Sequence, residues 1–174
     1  MPTTEPTATV TTTTGMDTTT PQQTVAERQP YKNKTDGFSL QFPGDRTFQE
    51  NVYGASVMFS SPVSATDKIK ENVSIIKKTM SKNYTLEEYY TLNKDALTKE
   101  PNYTEVQVST IKVNDLDSKK VIFTYTDHGT NLKVEQLLII KNNIAYTLTY
   151  IATEATFNDY AQKVDEMIAT REII

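Results

Sequence analysis

Residues 104–153 read TEVQVSTIKVNDLDSKKVIFTYTDHGTNLKVEQLLIIKNNIAYTLTYIAT, and this stretch decides the fold. Apolar side chains recur at every second position, the period of a β-strand. Val121, Phe123 and Tyr125 fall in one phase. Leu132, Val134, Leu138 and Ile140 fall in another, and Ile144, Tyr146, Leu148 and Tyr150 in a third. Turn-forming residues interrupt the pattern at 114–117, 128–131 and 142–143, and Asn142-Asn143 suits a two-residue hairpin because Asn tolerates positive φ. Four strands joined by short turns make an antiparallel meander over 104–113, 119–127, 132–141 and 144–153. The opposite phase is also apolar in places, with Ile122 beside Phe123 and Leu137 and Ile139 beside Leu138. A sheet with that pattern is covered on both faces.

Working outward, Thr85-Leu86-Glu87-Glu88 is a capping box that opens a helix. Its stripe of Leu86, Tyr89, Tyr90, Ala96 and Leu97 is interrupted by Asn93, and Pro101 lies beyond its end. A second helix is expected over about 156–171, with Phe157, Tyr160, Ala161, Val164, Met167 and Ile168 on one face and Thr156 with Asp159 at its cap. Before the first helix, Phe38, Leu40 and Phe42 alternate up to Pro43-Gly44. Short strands follow over 55–60, behind Gly54, and over 72–80, with Val73 and Ile75 on one side. The expected order is β-β-β-α-β-β-β-β-α. This is an α+β fold with a mostly antiparallel sheet of 6–7 strands between two main helices, an α/β/α sandwich.

The chain has 174 residues, room for one domain with a substantial core. Residues 1–24 hold twelve Thr and almost no large apolar side chains. Such a segment cannot bury enough apolar surface to offset its ordering entropy. Residues 1–30 are therefore expected to be a flexible Thr/Pro-rich tether and 31–174 the folded domain. Eighteen Lys and Arg against 22 Asp and Glu give a net charge of −4, and the bases are scattered, so nucleic acid is not expected as a partner. No cysteine is present, which excludes disulfides, thiolate metal sites and cysteine nucleophiles. No 18-residue apolar run and no signal-peptide pattern occur. A Thr-rich start after Met1 leads us to expect a leader or lipid anchor that this chain lacks, which would be its one link to a membrane.

Several motifs bear on chemistry. His128 is the sole histidine and stands beside Asp127, before Gly129; the pair is a candidate ion contact or a plain turn. Asp115 and Asp117 gather carboxylates in a turn, but a helix–loop–helix calcium site also needs a Gly at its sixth position and a Glu at its twelfth, and Lys120 and Thr126 stand there. Paired acids at Glu87-Glu88 and Asp165-Glu166 fall on helices, away from the apolar stripes. Gly-rich phosphate loops, the Gly-x-Ser-x-Gly elbow and His-Glu-x-x-His are missing. No catalytic residue and no cofactor are expected. Of the ten tyrosines, Tyr53 and Tyr103 lie in predicted loops and are the candidates for partner contact.

Asp36-Gly37-Phe38-Ser39-Leu40-Gln41-Phe42-Pro43-Gly44-Asp45, Tyr84-Thr85-Leu86-Glu87-Glu88-Tyr89, Ala145 through Ala152 and Phe157 through Ile168 together resemble the PsbP-like family, across about 31–173. The chain departs from the family in lacking Trp, with Asp45-Arg46-Thr47-Phe48 where the family often carries an aromatic soon after the first strand's Pro. The resemblance implies an antiparallel sheet between helices. It also implies binding without chemistry, since family members include extrinsic subunits of photosystem II, a nuclear-transport protein that binds a small GTPase, and exported bacterial lipoproteins. The function expected is a non-catalytic extracytoplasmic binding or accessory domain, monomeric, tethered to a cell surface or secreted, with a protein partner. The alternative is a carrier of a small ligand or of a calcium, manganese or zinc ion.

Overall fold

A computed structural model describes residues 27–62 and 70–174. The expected tether lies outside the described residues up to position 26. The chain forms β1 (Arg28–Asn33), β2 (Phe38–Pro43), β3 (Thr47–Val52), β4 (Ala55–Ser60), β5 (Asn72–Thr79), α1 (Leu86–Leu97), β6 (Thr104–Val113), β7 (Leu116–Asp127), β8 (Thr130–Lys141), β9 (Ile144–Thr153), α2 (Phe157–Thr170) and β10 (Glu172–Ile173). The main sheet has seven strands in the order β3-β4-β5-β9-β8-β7-β6, and β1-β2-β10 make a small second sheet. All described strand pairs are antiparallel.

The sandwich expected from the sequence is present, with two differences: the Phe38–Pro43 strand belongs to the small sheet and not to the main one, and β1, β3 and β10 are strands that were not expected. Strand β1 also takes in Arg28, Gln29 and Pro30, which pair with Pro43, Phe42 and Gln41. Pro30 is tolerated because β1 is an edge strand, where a missing N–H breaks no ladder on the open side. The 114–117 turn is narrower than expected. Leu116 and Asp117 pair with Val113 and Lys112, and an ion pair of 2.9 Å joins Lys112 to Asp117 across the strands.

The two faces of the main sheet carry separate cores. One holds Val121, Phe123, Val134, Leu138 and Ala145 under Tyr89 of α1. The other holds Leu137, Ile139, Leu148 and Tyr150 under Val164, Met167 and Ile168 of α2 and under Phe38, Leu40 and Phe42 of the small sheet. The capping box of α1 forms as expected: Glu88 N–H donates to Thr85 Oγ1 at 3.1 Å, and Thr85 N–H donates to Glu88 Oε2 at 2.8 Å. Asn93, the gap in the stripe, turns inward and donates to Gln136 Oε1 at 2.7 Å. The cap expected for α2 does not form, because the Thr156 hydroxyl is engaged with Thr153 Oγ1 at 2.9 Å.

Gly44 closes β2 where the chain leading into β1 passes closest. Its N–H donates to the Glu27 carbonyl at 3.0 Å, and a Cβ built there would lie 2.5 Å from that oxygen. Gly44→Ala should therefore push β1 off β2. We expect a loss of about 1–3 kcal/mol, read as a lower urea midpoint with an unchanged slope. An unchanged midpoint would mean that β1 contributes nothing to stability.

Candidate functional site

Four two-residue hairpins link strands of the main sheet, and each has positive φ at both central residues, the twist-matched type I′ geometry. They are Tyr53-Gly54 (φ 50° and 79°), Asn114-Asp115 (48° and 65°), His128-Gly129 (46° and 81°) and Asn142-Asn143 (51° and 62°). Strand directions place the first, second and fourth at one end of the sheet and His128-Gly129 at the other. The candidate residues are thereby separated. Asp115 and Asp117 stand at one end of β7 and Asp127 and His128 at the opposite end, roughly 35 Å away along the strand.

Asp127 Oδ1 lies 2.7 Å from His128 Nδ1, and the imidazole is 95% exposed. The pair caps a hairpin tip, and His128 takes the left-handed conformation of a turn residue. Asp117 is held by Lys112. Among the described residues, no group of three or more His, Cys, Asp and Glu is arranged to hold a metal ion.

Tyr53 and Tyr103 differ sharply. Tyr103 packs its ring 5.4 Å from Phe123 and is half-buried at the margin of the α1-side core. Tyr53 is 94% exposed. It occupies a left-handed position at the tip of β3–β4, which disfavours a bulky side chain, while Asn or Gly suit it. The residue thus spends conformational energy and exposes a large ring at the same point.

Sequence reasoning missed the buried charges. Glu135, on β8, is 2% exposed and faces α2. Lys120 Nζ lies 3.0 Å from its Oε1 and 2.6 Å from Asp165 Oδ1 of α2. Burial raises the Glu135 carboxyl above the usual range against the opposing pull of Lys120. Burial alone would lower Lys120, but its hydrogen bonds to Asp165 and Glu135 outweigh that and raise it.

Arg46 and Arg171 are buried guanidiniums with different surroundings. Arg46 lies 5.1 Å above the Tyr160 ring, and the negative charges of Asp45 and Glu71 partly offset the burial that lowers it. Arg171 follows α2 and is 2% exposed. Burial pulls it down to about 10, with only Tyr146 acting against the shift. It therefore stays cationic at neutral pH. Its carbonyl accepts from the Asn114 side chain. A surface hollow of about 440 Å³ opens here, between the Asn114-Asp115 turn, Lys141 and β10, and Arg171 lines it. The only signal in the sequence was an Arg directly after an amphipathic helix, which ordinarily reads as a solvated helix end.

Comparison with known proteins was consistent on the fold. The PsbP family model matches residues 26–172. No curated protein matches the chain by sequence. Solved structures that resemble it include the solution structure of cyanobacterial PsbP (CyanoP) from Synechocystis, with 13% identity, TM-score 0.61, and 86% of this chain and 94% of that one covered. LpqN of Mycobacterium tuberculosis, described as involved in cell envelope biogenesis, has 12% identity, TM-score 0.64, and coverage of 83% and 89%. A Pseudomonas aeruginosa protein of unknown function, PA94, described as a putative regulator, has 14% identity, TM-score 0.60, and coverage of 82% and 94%. At these identities the likeness concerns the fold.

The Glu135–Lys120 pair gives a pH test. Because the folded Glu135 carboxyl titrates above its unfolded value, this group favours the fold below the unfolded pKa, and that contribution is lost as pH rises through the folded one. Lys120→Met would leave Glu135 buried without its cation. The variant should lose about 3 kcal/mol at pH 7, and the deficit should shrink towards pH 4 as Glu135 takes up a proton. Urea unfolding at several pH values checks this, and a deficit independent of pH would assign the loss to packing.

Proposed function

Because this chain belongs to the PsbP family, we propose that it is a non-catalytic accessory domain that acts outside the cytoplasm by binding a protein partner. The resemblance to LpqN, named for cell envelope biogenesis, supports the envelope setting. The observation that carries the partner reading is Tyr53. Its ring is exposed at a hairpin tip where its backbone conformation is costly, and no packing among the described residues rewards that choice. Tyrosine offers a large rigid contact surface at low entropic cost, the usual material of a binding hot spot. The non-catalytic part of the reading rests on the family.

Tyr53→Gly separates binding from folding, since Gly adopts the required φ freely. The variant should be at least as stable as the parent in thermal unfolding. A photo-crosslinker at Tyr53, in intact cells of the source organism, should give one dominant envelope-protein adduct, and the same crosslinker at Lys99 should not. Purified adduct partner should bind the Tyr53→Gly variant at least tenfold more weakly. Equal binding by parent and variant would reject Tyr53 as the contact, and protection of the domain from external protease would reject the location.

A further inference from the structure

We propose that the hollow beneath the β6–β7 turn is an oxyanion site, in which the Arg171 guanidinium, assisted by Lys141, receives a single carboxylate or phosphate group. Arg171 Nε and Nη1 are buried and have no hydrogen-bond partner among the described residues. Among the described residues no carboxylate forms an ion pair with it. A buried charge in this state is costly, because desolvation is not returned by a counter-ion or by hydrogen bonds. Arg46, less deeply buried, also has guanidinium nitrogens without a hydrogen-bond partner among the described residues, but it has an aromatic face and acidic neighbours for compensation. Among the described residues only Tyr146 acts against that cost for Arg171, and Arg171 is one of the residues lining the hollow.

The surroundings suit a small anion. Lys141 lines the same hollow, and its Nζ donates to the Ile173 carbonyl at 3.1 Å, which leaves two protons. The guanidinium fork matches the paired oxygens of a carboxylate or phosphate. The Asn114 side chain holds the Arg171 carbonyl, so the β6–β7 turn fixes the backbone from which the fork projects. Two acids, Asp115 and Glu172, also line the hollow, but both are exposed at its rim. Water screens rim charges far more than interior ones, so the floor governs a small ligand, while the acidic rim disfavours an extended polyanion. This site is independent of the Tyr53 contact.

Amide and Arg Nε–H spectra of the full chain, titrated with sodium phosphate and separately with sodium acetate against sodium chloride at matched ionic strength, test this. We expect saturable shifts at Asn114, Lys141, Glu172 and the Arg171 Nε–H. Saturation by acetate alone points to carboxylate groups, by phosphate alone to phosphate, and by both to oxyanions generally. Lys141→Gln, a change at a half-buried side chain, should weaken binding about tenfold. Arg171→Met should abolish the shifts while raising the melting temperature, the mark of an unpaired buried charge removed. Absence of saturation with both salts, shifts scattered over other surfaces, or an affinity unchanged by Lys141→Gln would overturn the proposal.

Discussion

Strands β8 and β9 have no solvent face, and the rest of the fold follows from that. From Val134 to Ile139 and from Ala145 to Tyr150 every residue is buried. Each large apolar side chain buried there contributes about 1.5–3 kcal/mol. One buried polar group left without a partner costs about 1–3 kcal/mol and cancels it. Two central strands therefore require covers on both sides, and every polar residue in them requires a partner. Helix α1 covers one side and meets that second need: Tyr89 hydrogen-bonds Thr147 at 2.7 Å, and Asn93 bonds Gln136, which in turn donates to Thr149 at 3.2 Å. On the other side, α2 supplies Asp165 to the Lys120–Glu135 pair.

On the second face α2 shares the cover with the small sheet. Strand β2 brings Phe38, Leu40 and Phe42 down onto Phe59 and Tyr146, while β1 and β10 flank it. Phe42 and Phe59 lie 4.8 Å apart, the tightest aromatic pair of this layer. The chain's first and last described strands both pair with β2, so a residue far along the sequence, Ile174, donates its N–H to Gly37. The layer closes only when both ends of the folded unit have arrived.

The elements that carry a regular apolar period or sit between clear turn signals were legible in the sequence, and those with neither were missed. The meander, α1 with its capping box and the apolar face of α2 all carry a strong period. Strand β3 is exposed along most of its length, β1 buries only Tyr31 and contains Pro30, and β10 has two residues, so none of the three shows alternation. They exist through pairing with neighbours, a long-range fact. The site divides on the same line. Tyr53 stood out because it lies in a predicted loop. Tyr103 looked similar, and only the packing on Phe123 distinguishes it. Arg171 read as a solvated helix end, because its burial depends on the small sheet and the β6–β7 turn, which meet it from distant parts of the chain.

Antiparallel topology also decides where unusual features can collect. Turns must alternate between the two ends of a sheet, yet here one end has three of the four I′ hairpins and the other only His128-Gly129. The crowded end also receives the 34–37 turn, fixed by Lys77 on the Thr35 carbonyl at 3.2 Å and by Tyr146 on the Asp36 carbonyl at 3.1 Å. Many backbone segments converging there leave little apolar mass to seal the layer, so polar side chains such as Arg171 and Lys141 fill the margin and a hollow remains. Five strand spacings separate the Tyr53 hairpin from the Asn114 hairpin, about 24 Å across the sheet. A protein surface seated on the first and a small anion held under the second do not collide at that distance. The one sheet end with both unrewarded conformational strain and uncompensated buried charge is thus wide enough for two separate contacts.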